Sequence, residues 1–280
     1  MSLVPAMVSP QPELVASHVE AALAQAGVTD GAVLFQRVLA DITAAFAGHR
    51  PGFRANDMRY HNLAHTLQAT TCTADLIAGQ VRCGDLAGFT ARTAELTVVA
   101  SMLHDVGFLK EATDASGTGA KYTWVHERRS CEFAREYLPA IGVTPAEIED
   151  ICAAISCTGP RNRITTHDFA SPTARRMACL LVTADYLSQM GAPDYPAKLE
   201  ALYDEFVEAF DHDGIPVDQR PYRSLAELRG KTADFWAKYV RPMLDSEAEG
   251  VHRFLHITGQ PNPYFQAIAQ NLAVIRASAT

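Results

Sequence analysis

The chain has 280 residues, 48% of them hydrophobic and 20% charged. That is enough apolar material for a sizeable core, and it excludes wholesale disorder. A net charge of −8 argues against a general binder of nucleic acid or anionic membrane, though a local basic pocket could hold one phosphate.

Nearly every long segment carries apolar residues at helical period rather than in strict alternation. The first residues, Met1 to Pro12, lack a basic stretch followed by a long apolar one, so no signal peptide is expected. No apolar run is long enough to span a membrane, and a cytoplasmic location is expected. Residues 13–26 and 31–47 read as two helices, with Thr29 or Asp30 placed to cap the second. His49-Arg-Pro-Gly52 breaks the chain. A long helix is predicted from about Tyr60 to Val81, and another from about Thr90 to Val106 with Gly107 as its terminator. Residues 111–123, containing Gly117 and Gly119, read as a flexible loop of lid-like composition. Helices follow near 126–138, 145–156, 172–190, 195–210, 222–244 and 262–277, with Pro139, Pro145, Pro172 and Pro193 at plausible boundaries. No hairpin signal, internal repeat or low-complexity segment is present. The expectation is an all-α fold, one compact domain over 1–280, with outer helices at both ends packed on a central bundle.

Six cysteines lie at 72, 83, 131, 152, 157 and 179 without a CxxC pair. Most read as small core residues of a reducing compartment.

Chemistry-bearing residues concentrate in three places. His61 and His65 are at i, i+4 spacing, so on one helix both would project from the same face. His104-Asp105 closes the apolar stretch Glu95 to Gly107, and Asp185 stands in the apolar run Cys179 to Leu187. Neighbours on a regular helix point about 100° apart, so His104 and Asp105 can share a site only where the helix ends or bends. Imidazoles and carboxylates emerging from buried helices are costly unless something compensates, and a divalent metal is the simplest candidate. Such mixed N/O ligands suit Zn, Mn, Fe, Ni or Mg in an open coordination sphere, and the lack of Cys ligands argues against a closed structural zinc site.

The ordered series His65, His104-Asp105, Asp185 resembles the H…HD…D signature of the HD-domain superfamily of metal-dependent phosphohydrolases, over roughly residues 60–190. Tyr60-His61-Asn62-Leu63-Ala64-His65 also resembles the YHNxxH element of the cyclic-nucleotide phosphodiesterases of that superfamily. The resemblance implies an HD core at about 60–190, with outer helices in 13–47 and 195–277. It implies that His65, His104, Asp105 and Asp185 hold a first metal ion and that Asp105 bridges to a second. It makes His61 the general acid that protonates the leaving oxygen. His126, opening the helix after the HD pair, takes the place of a ligand to the second metal or its water. Asn62 reads as structural, capping the helix.

The implied activity is hydrolysis of a phosphomonoester or phosphodiester of a small molecule, a nucleotide first among them, by a metal-activated water. Lys121, Arg128, Arg129, Arg161 and Arg163 are the candidate phosphate contacts; Arg161 and Arg163 follow a Gly-Pro turn in a loop that could overhang a pocket. Two alternatives stand beside this. A di-iron oxygenase on the same scaffold would use His126, but the stretch Ala153 to Gly159 lacks the additional histidines of such members, and His167 lies in a polar loop. A non-catalytic helical sensor would retain the motif without turnover. His18, His49, His212, His252 and His256 read as ordinary surface or packing residues. Gln189, four residues after Asp185, is not aligned with the glutamine clamp of the cyclic-nucleotide enzymes.

Overall fold

The computed structural model describes residues 10–86, 88–159, 161–256 and 260–278. Among the described residues it is all-α, with no strand beyond an isolated bridge between Phe53 and Glu111. Eleven α-helices follow in chain order: α1 Pro12–Gln25, α2 Val33–Phe46, α3 Leu63–Arg82, α4 Ala91–Leu103, α5 His126–Tyr137, α6 Pro145–Ser156, α7 Pro172–Gly191, α8 Tyr195–His212, α9 Leu225–Phe235, α10 Arg241–Ser246 and α11 Pro263–Ala277. No described helix is long and apolar enough to cross a membrane.

The centre of the fold is α3, buried from His65 continuously to Gln80. A helix buried on all sides must satisfy its own polar groups. Thr70, Thr71 and Thr73 do so by donating to the carbonyls one turn back, at 2.8, 2.8 and 2.9 Å. α3 packs against α1, α4 and α7, and α7 is itself buried over most of its length. Gly79 lets α3 approach the short turn Val251–Leu255, because a Cβ there would lie 1.9 Å from the Phe254 carbonyl oxygen. Start signals are orthodox: Thr90, Ser171 and Ser224 cap α4, α7 and α9, and Thr144 with Glu147 forms a capping box on α6.

Several boundaries differ from expectation, each for a physical reason. α3 begins at Leu63 rather than Tyr60, because Asn62 is extended and its side chain accepts from the His65 amide at 3.2 Å. α2 begins at Val33; Asp30 does not cap it but accepts from the Ala32 amide at 3.0 Å in the preceding turn. α4 ends at Leu103 rather than Val106. The His104 carbonyl accepts from Ser130 Oγ at 2.7 Å, while the Phe108 amide turns to Asp105 at 3.1 Å, so a tight turn at Val106–Phe108 replaces the last helical turn. The predicted helix 222–244 is divided at a π turn, Trp236–Val240, just before Pro242, whose ring cannot continue an i−4 ladder. The segment 111–123 is tethered rather than loose. Thr118 Oγ1 donates to Glu208 at 2.6 Å, the Gly119 amide to Asp57 at 2.9 Å, and Lys121 pairs with Asp114 at 2.6 Å. Five of the six cysteines are buried; Cys83 is exposed.

Candidate metal centre

His65 sits in the first turn of α3, where the Asn62 cap sets its backbone. His104 is the residue that closes α4, and Asp105 follows it outside the helix at φ −108° and ψ 4°. This end of the helix removes the 100° conflict, so imidazole and carboxylate reach the same point. Asp185 comes from the middle of α7. Gly107 keeps the turn pressed against α5: a Cβ there would lie 2.0 Å from the His126 carbonyl oxygen.

Four side chains thus converge, each nearly buried. His65 Nε2 lies 3.2 Å from Asp105 Oδ2 and 3.2 Å from Asp185 Oδ1. His104 Nε2 lies 3.3 Å from Asp105 Oδ2, 3.8 Å from Asp185 Oδ1 and 3.4 Å from His65 Nε2. His104 Nδ1 donates to the Ser101 carbonyl at 2.7 Å, which turns Nε2 toward the carboxylates. Asp105 Oδ2 is buried and makes no hydrogen bond. An orphaned carboxylate oxygen facing two imidazole nitrogens is the donor set a divalent cation would satisfy. One ligand atom each from His65, His104 and Asp185 lies within 4.8 Å of the others, so the buried cluster could hold a metal ion.

The electrostatics agree. Burial alone would lower the His65 pKa, yet the carboxylates of Asp105 and Asp185 push it up to about 10. Burial would raise the Asp105 carboxyl, but the imidazoles of His104, His65 and His61 hold it well below the usual carboxylate range. Without a metal, protons on histidine offset the carboxylates; a cation would displace them.

His126 opens α5 on the other side of Asp105, its Nε2 3.6 Å from Asp105 Oδ1 and its Nδ1 held by the Thr123 carbonyl at 2.8 Å. Asp105 therefore offers one oxygen toward His65 and His104 and the other toward His126.

His61 lies in the turn before α3, so it does not share a helix face with His65 as the spacing suggested. It reaches the site because its ring stacks on Phe108 at 4.7 Å, and Phe108 stacks in turn on His126 at 4.3 Å. Its Nδ1 bonds Glu205 Oε2 at 2.6 Å, and the other oxygen of Glu205 accepts from the Tyr60 amide at 2.6 Å. Burial would lower the His61 pKa, but the Glu205 carboxylate prevails and raises it. Glu205 was not singled out from sequence. The available signal was an acid on the buried Leu202–Ala209 stripe of α8. Gln189 bridges Tyr60 and Asp185, accepting from the tyrosine hydroxyl at 2.8 Å and donating to Asp185 Oδ1 at 3.2 Å.

A cavity of about 450 Å³ opens before this cluster, lined by His61, His65, Asp105, His126 and Asp185 at one end. Of the candidate phosphate contacts, only Arg161 lines it, with its guanidinium 4.2 Å from the Trp124 ring centroid. Lys121 is spent on Asp114 and the Ser116 carbonyl, Arg128 on Glu132 at 2.6 Å, and Arg163 on Glu247 at 3.0 Å. Arg129 donates to the carbonyls of Gly107 and Leu109 at 2.7 and 2.8 Å. Arg128, Arg163 and His167 face a separate hollow of about 510 Å³ between α5 and the 162–167 loop. His18 and His252 are packing residues, pairing with Asp75 at 2.8 Å and Asp245 at 2.7 Å.

No family model matches the chain, and neither a curated protein nor a solved structure matches it.

Proposed function

We propose that this protein is a metal-dependent phosphohydrolase of the HD-domain type, cleaving a phosphate ester of a small molecule. The observation that carries the reading is the buried Asp105 Oδ2, which makes no hydrogen bond yet faces the imidazoles of His65 and His104, beside a His61 already held by a carboxylate.

His65, His104, Asp105 and Asp185 would hold a first divalent ion, drawn from Mn, Mg, Fe, Ni or Zn. Asp105 Oδ1 and His126 would serve a second or its water. When bound, such an ion supplies Lewis-acid activation of water and neutralises charge on the phosphoryl oxygens. The chain's own contribution is proton delivery. Glu205 accepts from His61 Nδ1 and favours the imidazolium, so a proton is available at Nε2 for the leaving alcohol oxygen. As the bond from phosphorus to that oxygen breaks, the water oxygen bonds to phosphorus. The alcohol leaves with the His61 proton, and the water proton returns to His61 through solvent. Gln189 and Tyr60 keep Asp185 in place.

Thr158 and Gly159 are the residues that the stretch 153–159 presents to the cavity, and neither supplies an imidazole or carboxylate. Nothing on that wall favours the di-iron oxygenase.

The protein loaded with Mn or Mg is expected to hydrolyse an aryl phosphate, and Asp105→Ala to abolish turnover. Glu205→Gln should lower kcat about tenfold and His61→Ala about 10²-fold or more, both with metal content retained. Turnover that survives Asp105→Ala overturns the reading.

A further inference from the structure

We propose that the cavity before the metal centre recognises a phosphate monoester of an apolar, ring-bearing alcohol, with a single phosphoryl head and no nucleotide base or polyphosphate tail. This rests on the phosphohydrolase reading and names the class of substrate for the same site.

At about 450 Å³ the cavity falls within the roughly 300–1,000 Å³ that encloses a small organic ligand. Its carboxylates and imidazoles belong to the metal cluster. Much of the remaining wall is apolar and aromatic, built from Tyr186 of α7, Phe206 and Phe210 of α8, Phe235 of α9, and Trp124 and Tyr222 from the connecting turns, with Gln219 and Thr232 as polar members. The rings of Trp124 and Phe206 lie 6.5 Å apart with planes 4° from parallel, and Phe206 and Tyr222 lie 6.1 Å apart at 22°. Parallel rings along one wall form a shelf against which a flat apolar body stacks.

Charge limits the head group. Arg161 is the one Lys or Arg among the described lining residues. One phosphoryl group has the metal, His61 and Arg161 to meet it. A second or third phosphate would be desolvated against aromatic walls without a cation.

Hydrogen-bonding capacity limits the body. The hydroxyls of Thr123, Thr158 and Thr232, all on the lining, donate to carbonyls of their own turns at 2.6, 2.8 and 2.9 Å. The Gln189 amide is committed to Tyr60 and Asp185. The exposed Gln219 amide and the Trp124 indole N–H remain as free donors on the lining, so selection against a base and sugar comes from the apolar wall, which an apolar ring meets without a polar partner.

The test compares 1-naphthyl phosphate with adenosine 5′-monophosphate and ATP as substrates of the full-length, Mn-loaded protein. Calorimetry then measures binding of the non-hydrolysable 1-naphthylmethyl phosphonate. The expected kcat/KM favours the naphthyl ester by about 10²-fold or more, and Phe206→Ala and Tyr222→Ala each raise the Kd of the phosphonate about tenfold. Helical circular dichroism and metal content show whether either variant remains folded, and two variants guard against loss of one. Nucleotide turnover equal to or faster than the naphthyl ester, and dependent on Asp105, overturns the substrate class while the phosphohydrolase reading stands. Phosphonate binding that weakens in both variants, with no ester hydrolysed, supports the recognised class and overturns the phosphohydrolase reading. Binding no tighter than that of adenosine 5′-monophosphate, or indifferent to both variants, overturns the inference.

Discussion

Two buried clusters of histidine and aspartate lie along the same helix, α3, and they differ in what is left over. At mid-helix, Asp75 accepts from His18 at one oxygen and from the Tyr264 hydroxyl at the other, both at 2.8 Å. Both carboxylate oxygens are engaged, and the cluster ties α1 and α11 to the centre of the fold. At the helix start, His65 meets Asp105, Asp185 and His104, yet Asp105 Oδ2 has no hydrogen bond although it is buried. A closed set of partners serves stability; an open one keeps coordination in reserve for a ligand. Burial alone does not separate them, since Asp75 and Asp105 are equally inaccessible at 2%.

The largest expected difference comes from removing the carboxylate of each. Asp75→Ala strands His18 and the fully buried Tyr264, and should cost about 2–4 kcal/mol of stability, the lower end reflecting the exposed edge of His18. Metal content should not change. Asp105→Asn should lower metal affinity by about 10²-fold or more, because it takes a negative oxygen out of the donor set. Urea unfolding and elemental analysis of both variants check the pair, and a loss of metal in Asp75→Ala would erase the distinction.

A smaller effect follows from metal itself. Free metal at 100 times its Kd should raise unfolding free energy by about 2.7 kcal/mol, visible as a rise in Tm that chelator reverses. Asp75→Ala should keep that increment from a lower baseline, and Asp105→Asn should lose it.

The smallest concerns pH. The Asp75 carboxylate hydrogen-bonded to His18 raises the histidine above its ordinary value of 6.5, against the opposing effect of burial. A histidine with a raised folded-state pKa adds stability that is fully present below the unfolded value and is lost as pH rises through the folded one. Stability of the apo protein should therefore contain a component that declines from about pH 6.5 upward, and His18→Gln should remove it. Tm measured between pH 6 and 9 on both proteins checks this. A decline of equal size in the variant would assign it elsewhere.

Much of the fold was legible because helical periodicity and end signals are local. The helices near 145–156 and 172–190 emerged as α6 and α7, where Pro and Thr or Ser mark the starts. The misplaced ends are those set from a distance. α4 stops at Leu103 because Ser130, 26 residues on from His104, takes the His104 carbonyl. The buried His and Asp cluster was legible as an ordered set of residue types, and His65, His104, Asp105 and Asp185 come together near His61 and His126. The phosphate contacts were not, because a basic residue in a loop carries no mark of the acid that will neutralise it. Arg163 is claimed by Glu247, 84 residues away, and Glu205 reaches His61 across 144.

The amino-acid sequence by itself determined an all-α chain and which side chains could ligate a metal, since period and residue chemistry are written along it. Only the tertiary structure decided which of those chains remain open to a ligand. A carboxylate's free coordination depends on every neighbour packed around it, and those neighbours come from helices far apart in the chain.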